Sequence, residues 1–157
     1  MKTNKRNKAL EPEGYWVEYH SNGLTHRKGH YINGIKNGLW ITNHVNAKIE
    51  SKGYYENGLR VGLWEFFCLK GLLSAKGNCI NGNAEGLWEF YHPSGKLHYT
   101  VNYVNGERDG YFEAYYENGK LECKGYWENG KKVGVWELFN KRGKLKESKN
   151  YNENLHI

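Results

Sequence analysis

Glycine recurs every 24 residues, at Gly14, Gly38, Gly62, Gly86, Gly110 and Gly134, and each glycine opens a segment patterned on the same template. From Gly110 the chain reads GYFEAYYENGKLECKGYWENGKKV; one step earlier, from Gly86, it reads GLWEFYHPSGKLHYTVNYVNGERD. Six units (14–37, 38–61, 62–85, 86–109, 110–133 and 134–157) follow one another without insertion, behind a polar stretch at 1–13 that is expected to be a flexible basic arm. A period of this length means that each unit is one supersecondary element, able to bury its apolar side only against its neighbours.

Positions within a unit are numbered 1 to 24. Position 3 is Trp16, Trp40, Trp64, Trp88, Phe112 and Trp136. Position 6 is Tyr19, Asn43, Phe67, Tyr91, Tyr115 and Phe139. Turn pairs fall at positions 9 and 10, as in Asn22-Gly23 and Asn118-Gly119, and at 20 and 21, as in Asn33-Gly34 and Asn129-Gly130. Short aromatic-rich runs between Asn-Gly pairs predict β-hairpins with type I′ turns. The expected fold is all-β: an elongated, single-layer antiparallel meander of six hairpins and about twelve strands, with no helical period.

A two-residue loop at 9 and 10 sets position 8 against 11, 5 against 14, 4 against 15 and 3 against 16. Glu18 then faces Arg27, Glu65 faces Lys76 and Glu113 faces Lys124. Each Trp meets a strand glycine across its own hairpin: Trp16 on Gly29, Trp40 on Gly53, Trp64 on Gly77, with Phe112 on Gly125. An indole over such a glycine supplies packing that the glycine lacks. If the loop after position 19 spans 20–23, the same Trp is also flanked by the position-16 glycine of the previous unit, as a ladder of Trp and Gly across the sheet.

The run from Gly125 to Trp136, GYWENGKKVGVW, resembles a MORN (membrane occupation and recognition nexus) repeat, and the 24-residue step with G-x-W-E-x-Y and x-N-G-K resembles the variant in bacterial YwqK-type antitoxins. The resemblance covers 14–157 and departs from the pattern at Ala47, Thr100-Val101, Lys149 and Asn154. It implies a protein-binding scaffold and, more narrowly, an antitoxin that neutralises a toxin by direct contact.

The residues themselves point away from catalysis. His20, His44 and His92 share position 7, but even His20 and His44, in adjacent repeats, lie about 10 Å apart across two strand spacings, too far for metal bonds of about 2.1 Å. His26 and His98, at position 13, are expected to face the other way. Cys68, Cys79 and Cys123 lack a disulfide or metal spacing, which fits free thiols in the cytosol. The recurring Glu65, Glu89, Glu113 and Glu137 serve the repeat rather than a singular acid–base pair, and no phosphate loop is present. No cofactor or metal is expected. Nucleic acid is not an expected partner, because the middle repeats carry no excess of positive charge.

The expected partner is a protein, held by the aromatic row at position 6: Tyr19, Phe67, Tyr91, Tyr115 and Phe139. A second expectation is contact with an anionic membrane surface through Lys2, Lys5, Arg6, Lys8, Arg27, Lys28 and Lys36, since each basic residue near such a surface contributes about 1 kcal/mol.

Overall fold

The computed structural model describes residues 3–152 and is built of antiparallel β-strands. Two compact units divide it, one ending at Asn83 and the other starting at Ala84. The first holds β1 (Lys5–Arg6), β2 (Pro12–Tyr19), β3 (Thr25–Ile32), β4 (Ile35–Asn43), β5 (Ile49–Glu56), β6 (Leu59–Phe67) and β7 (Leu73–Ile80). The second holds β8 (Asn83–Tyr91), β9 (Leu97–Val104), β10 (Glu107–Tyr115), β11 (Leu121–Glu128), β12 (Lys131–Phe139) and β13 (Leu145–Asn150). Within each unit every strand pairs with its neighbours in sequence, giving an antiparallel meander. Lys2, Asn154 and the last residues lie outside the described range.

The hairpin register follows the sequence reading at its centre: Trp16 is opposite Gly29, Val17 opposite Lys28, and Glu18 opposite Arg27. The loop differs. His20 N–H donates to Leu24 O, Gly23 N–H donates to His20 O, and only Gly23 of the Asn22-Gly23 pair has positive φ (82°). This is a three-residue loop with a left-handed glycine, the second most common hairpin connection, in place of a type I′ turn. Tyr19 then pairs with Thr25, leaving His26 as a bulged residue. One unpaired residue resets the alternation of side chains. His26 therefore stacks on His20 with ring centroids 4.4 Å apart, and His98 stacks on His92 at 4.1 Å, so position 13 does not face away from position 7.

The second turn is type I′, with Asn33 at φ 48°, Gly34 at φ 75° and Ile32 paired directly with Ile35. Strands consequently run through the repeat boundary, and the position-1 glycine lies in mid-strand. Gly38 has φ 73°, and the three residues Gly38–Leu39–Trp40 stand opposite the single Gly29, between the pairs Lys28·Ile41 and His30·Asn37. That bulge turns the indole of Trp40 back over the preceding repeat. A Cβ on Gly29 would lie 2.3 Å from Trp40 Cδ2; Gly53 meets Trp64, and Gly125 meets Trp136, at the same distance. The register partner of each glycine is its own hairpin's Trp, but the ring that covers it belongs to the next repeat.

Ala47 holds φ 65° where other repeats place glycine. A left-handed L-residue costs about 1–2 kcal/mol, while glycine costs about 0.5–1 kcal/mol in chain entropy. Ala47→Gly is expected to raise stability by about 0.5–1 kcal/mol, read as a higher denaturation midpoint with an unchanged slope.

Candidate interaction surface

One face of each unit carries the tryptophans. Trp40 and Trp64 are 2% exposed and Trp136 is 7% exposed. Their Nε1–H groups donate to the position-17 carbonyls of the preceding repeat, His30, Tyr54 and Tyr126, at 3.1–3.2 Å. Position-18 rings interleave edge-on. Tyr31 meets Trp40 at 4.9 Å and 76°, Tyr55 meets Trp64 at 5.1 Å and 84°, and Trp127 meets Trp136 at 5.3 Å and 85°. Such pairs add about 0.5–1.5 kcal/mol each beyond burial.

Cations close over this ladder. In the first unit Arg6 lies over Trp16 at 5.4 Å, Lys36 over Trp40 at 4.5 Å, and Arg60 over Trp64 at 4.4 Å. Lys36 and Arg60 come from position 23; Pro12 occupies that place before the first repeat, and Arg6 of β1 supplies the missing cation. The stretch expected to be flexible is tied down accordingly. Lys5 and Arg6 pair with Glu13 and Pro12, and the Asn4 side chain bonds both Val17 N–H and Val17 O. In the second unit Arg108 lies over Trp127 at 4.9 Å and Lys132 over Trp136 at 4.1 Å.

The opposite face carries ion pairs and exposed apolar side chains. Lys52 bonds Glu65 at 2.8 Å and Lys124 bonds Glu137 at 2.9 Å, each pair joining adjacent repeats. The register within the hairpin, Glu65 opposite Lys76 and Glu113 opposite Lys124, is as expected, but these bonds reach backward to the previous repeat. On the Trp face Glu18 and Arg27 form the expected pair, two-pronged, at 2.6 and 3.1 Å.

Position 6 is largely occupied by this network. Phe67 and Phe139 lie half-buried under Lys52 and Lys124. Tyr91 donates to Glu89 at 2.7 Å and Tyr115 to Glu113 at 2.5 Å. The bond to Glu113, with partial burial, pushes the Tyr115 hydroxyl up to about 12. Tyr19, at 61% exposure, is the open member of the row.

Exposed apolar residues recur at positions 2, 17, 19 and 22, as well as in the loops at Val45 and Leu69. In the first unit Leu39, Tyr54, Leu63, Ile32, Ile35 and Leu59 are 43–54% exposed. In the second, Leu87, Tyr111, Tyr126 and Val135 are 40–59% exposed. The sequence carried a signal for them: positions 2 and 17 pair across the hairpin and alternate with Trp and Gly, so they had to face away from the tryptophans. The position-23 cations Arg60, Arg108 and Lys132 had no comparable local signal, because the bulge at position 1 determines which ring they cover.

Position 7 joins repeats at the loop end. His20, His44 and His92 place Nε2 at 2.7–2.9 Å from the position-6 carbonyl of the following repeat, and Tyr116 makes the same bond with its hydroxyl. A carbonyl only accepts, so Nε2 of each histidine carries a proton. Asn22, Asn46 and Asn118 donate to the next loop in the same way. Cys79 is buried in the ladder, and burial pushes its thiol up.

The expected anionic-surface residues divide between faces. Arg6, Arg27 and Lys36 lie on the Trp face, Lys28 lies on the other, and Lys5 and Lys8 are exposed near the N-terminus.

Residues 84–105, 108–129 and 132–153 match the family model described as MORN repeat variant. Each match starts at position 23 and spans a strand, its loop and the return strand, which supports a MORN-repeat protein. No curated protein matches the chain. Among solved structures it is similar to a crystal structure of an S. aureus TarM mutant in complex with fondaparinux, alpha-GlcNAc-glycerol and UDP. The likeness has 15% identity and a TM-score of 0.35, and covers 76% of this chain and 21% of that one. A TM-score at that level carries no inference about fold or activity.

Proposed function

From the premise that three tandem MORN-variant repeats make this chain a repeat scaffold, we propose that it is a non-enzymatic scaffold that binds a protein partner, and that it works in the cytosol. The observation that carries this reading is the exposed apolar row on the face opposite the tryptophans, centred on Leu39, Tyr54 and Leu63. Contiguous apolar surface rimmed by charge marks interaction sites. Three unpaired thiols fit a reducing compartment. The narrower form is an antitoxin that captures a toxin by direct binding; it rests on the resemblance of the G-x-W-E and x-N-G-K elements to YwqK-type proteins.

The test is co-purification of the tagged chain with the proteins encoded beside its gene, together with rescue of growth when such a protein is toxic. A stable complex is expected, weakened about 30-fold by Leu63→Glu, as for the loss of a central contact of about 2 kcal/mol. Leu63 is 50% exposed, so that variant is expected to fold. Wild-type affinity in Leu63→Glu, or no complex at all, would remove the proposal.

A further inference from the structure

The Trp face of the first unit carries charge that its own structure leaves unmatched. Among the described residues no carboxylate pairs with Arg6, Lys36 or Arg60, whereas Arg27 beside them is held by Glu18. Lys36 and Arg60 border a cleft of about 320 Å³, whose lining also includes Thr42, Ser51, Tyr55 and one carboxylate, Glu50. Adjacent repeats place these cations two strand spacings apart, about 10 Å. The corresponding groove beside Lys132 and Trp136 in the second unit is lined by Glu147 and Lys149 as well, so its charge is mixed.

We infer that this cleft binds an acidic protein segment, with Lys36 and Arg60 each taking a separate carboxylate. Three features select this ligand chemistry. The cations stand in a line and do not converge, so they suit charges spread along a chain better than one phosphate group. The tryptophans beneath them are 2% exposed and already covered, so neither indole offers a ring face for a nucleobase to stack on. The hydroxyls of Thr42 and Ser51 add donors for carboxylate or peptide oxygen, and a row of like charge favours a partner of opposite sign. The inference deepens the partner-binding reading and rests on it, while placing a second contact on the opposite face.

The probe is a fluorescein-labelled Glu-Ser repeat peptide, followed by fluorescence anisotropy at low salt. A Lys-Ser repeat peptide, single-stranded oligothymidylate and phosphatidylserine vesicles serve as competing arms. Binding of the acidic peptide is expected, falling with salt and weakened about tenfold by Lys36→Gln with Arg60→Gln, as for the loss of two rim charges. Lys28→Gln, on the other face, is expected to leave it unchanged. Absence of binding, an equal loss in Lys28→Gln, or tighter binding of oligothymidylate or vesicles would overturn the inference. A partner complex that persists and stays sensitive to Leu63→Glu, while the acidic peptide fails to bind, would remove this inference alone.

Discussion

Gly53→Ala is expected to destabilise the protein by about 3 kcal/mol or more, a large effect for one methyl group. The added Cβ would lie 2.3 Å from Cδ2 and 2.4 Å from Cε2 of Trp64, inside a ring system that is 2% exposed. The indole has to leave, and with it go its packing on Gly53, its bond to Tyr54 O and its edge contact with Tyr55. Trp64→Ala is expected to cost about 3–5 kcal/mol by the same losses. The double variant should be no worse than Trp64→Ala alone, because the methyl added by Gly53→Ala then occupies vacated space; the coupling expected is about 2–3 kcal/mol. Gly38→Ala separates steric from conformational cost. It meets nothing within 4 Å but holds φ 73°, so about 1–2 kcal/mol is expected. Urea denaturation followed by tryptophan fluorescence reads all four. Equal midpoints for Gly53→Ala and wild type would show that the indole does not sit on the glycine.

The pattern is broken on both sides of the junction between the fourth and fifth repeats, and a double-mutant cycle should expose the link. Val101 stands where four of the other repeats have glycine (the last has Lys149) and is fully buried, at 0% exposure. The ring from the following repeat is Phe112, the one position-3 residue that is not tryptophan. Here Phe112 pairs directly with Val101, and the bulge moves to Asp109–Gly110–Tyr111 opposite Asn102, with Gly110 at φ 108°. The Asn102 side chain donates to Asp109 O at 2.9 Å. A smaller ring makes room for the larger strand residue. Phe112→Trp alone is expected to cost about 1–3 kcal/mol by overpacking. Val101→Gly alone should cost about 3 kcal/mol through a cavity and added chain entropy. The combined variant recreates the arrangement seen at Gly125 and Trp136, and is expected to recover about 2 kcal/mol of the summed loss. Simple additivity of the two denaturant midpoints would refute the compensation.

Much of the candidate surface was legible only in part, for a specific reason. Local alternation identifies which residues share a face as long as the ladder is unbroken, so Glu18 against Arg27 and Trp16 against Gly29 follow from the sequence. Each repeat, however, contains two bulges, one near position 13 and one at position 1. The first inserts one unpaired residue and the second sets three residues against one, and nothing in the composition of His26 or Gly38 announces either. The first bulge brings His26 onto His20. The second carries Trp40 onto the preceding repeat and brings Lys36 over its ring. The expectation that position 6 would offer the open contact row failed to anticipate the lysines above Phe67 and Phe139, which arrive from a neighbouring repeat.

The period of 24 residues, the all-β class, the hairpin pairs and the role of Asn-Gly at the second turn were determined by the sequence itself. These depend on interactions between residues close along the chain: φ preference at the turn, alternation along the strand and facing pairs within one hairpin. What only the tertiary structure decided is how one repeat lies against the next. The covering of Gly53 by Trp64, the ion pair from Lys52 to Glu65 and the histidine bonds to the following loop all cross a repeat boundary. Their geometry depends on bulges whose stability comes from burying an indole against the adjacent repeat, an energy that no single 24-residue unit possesses alone.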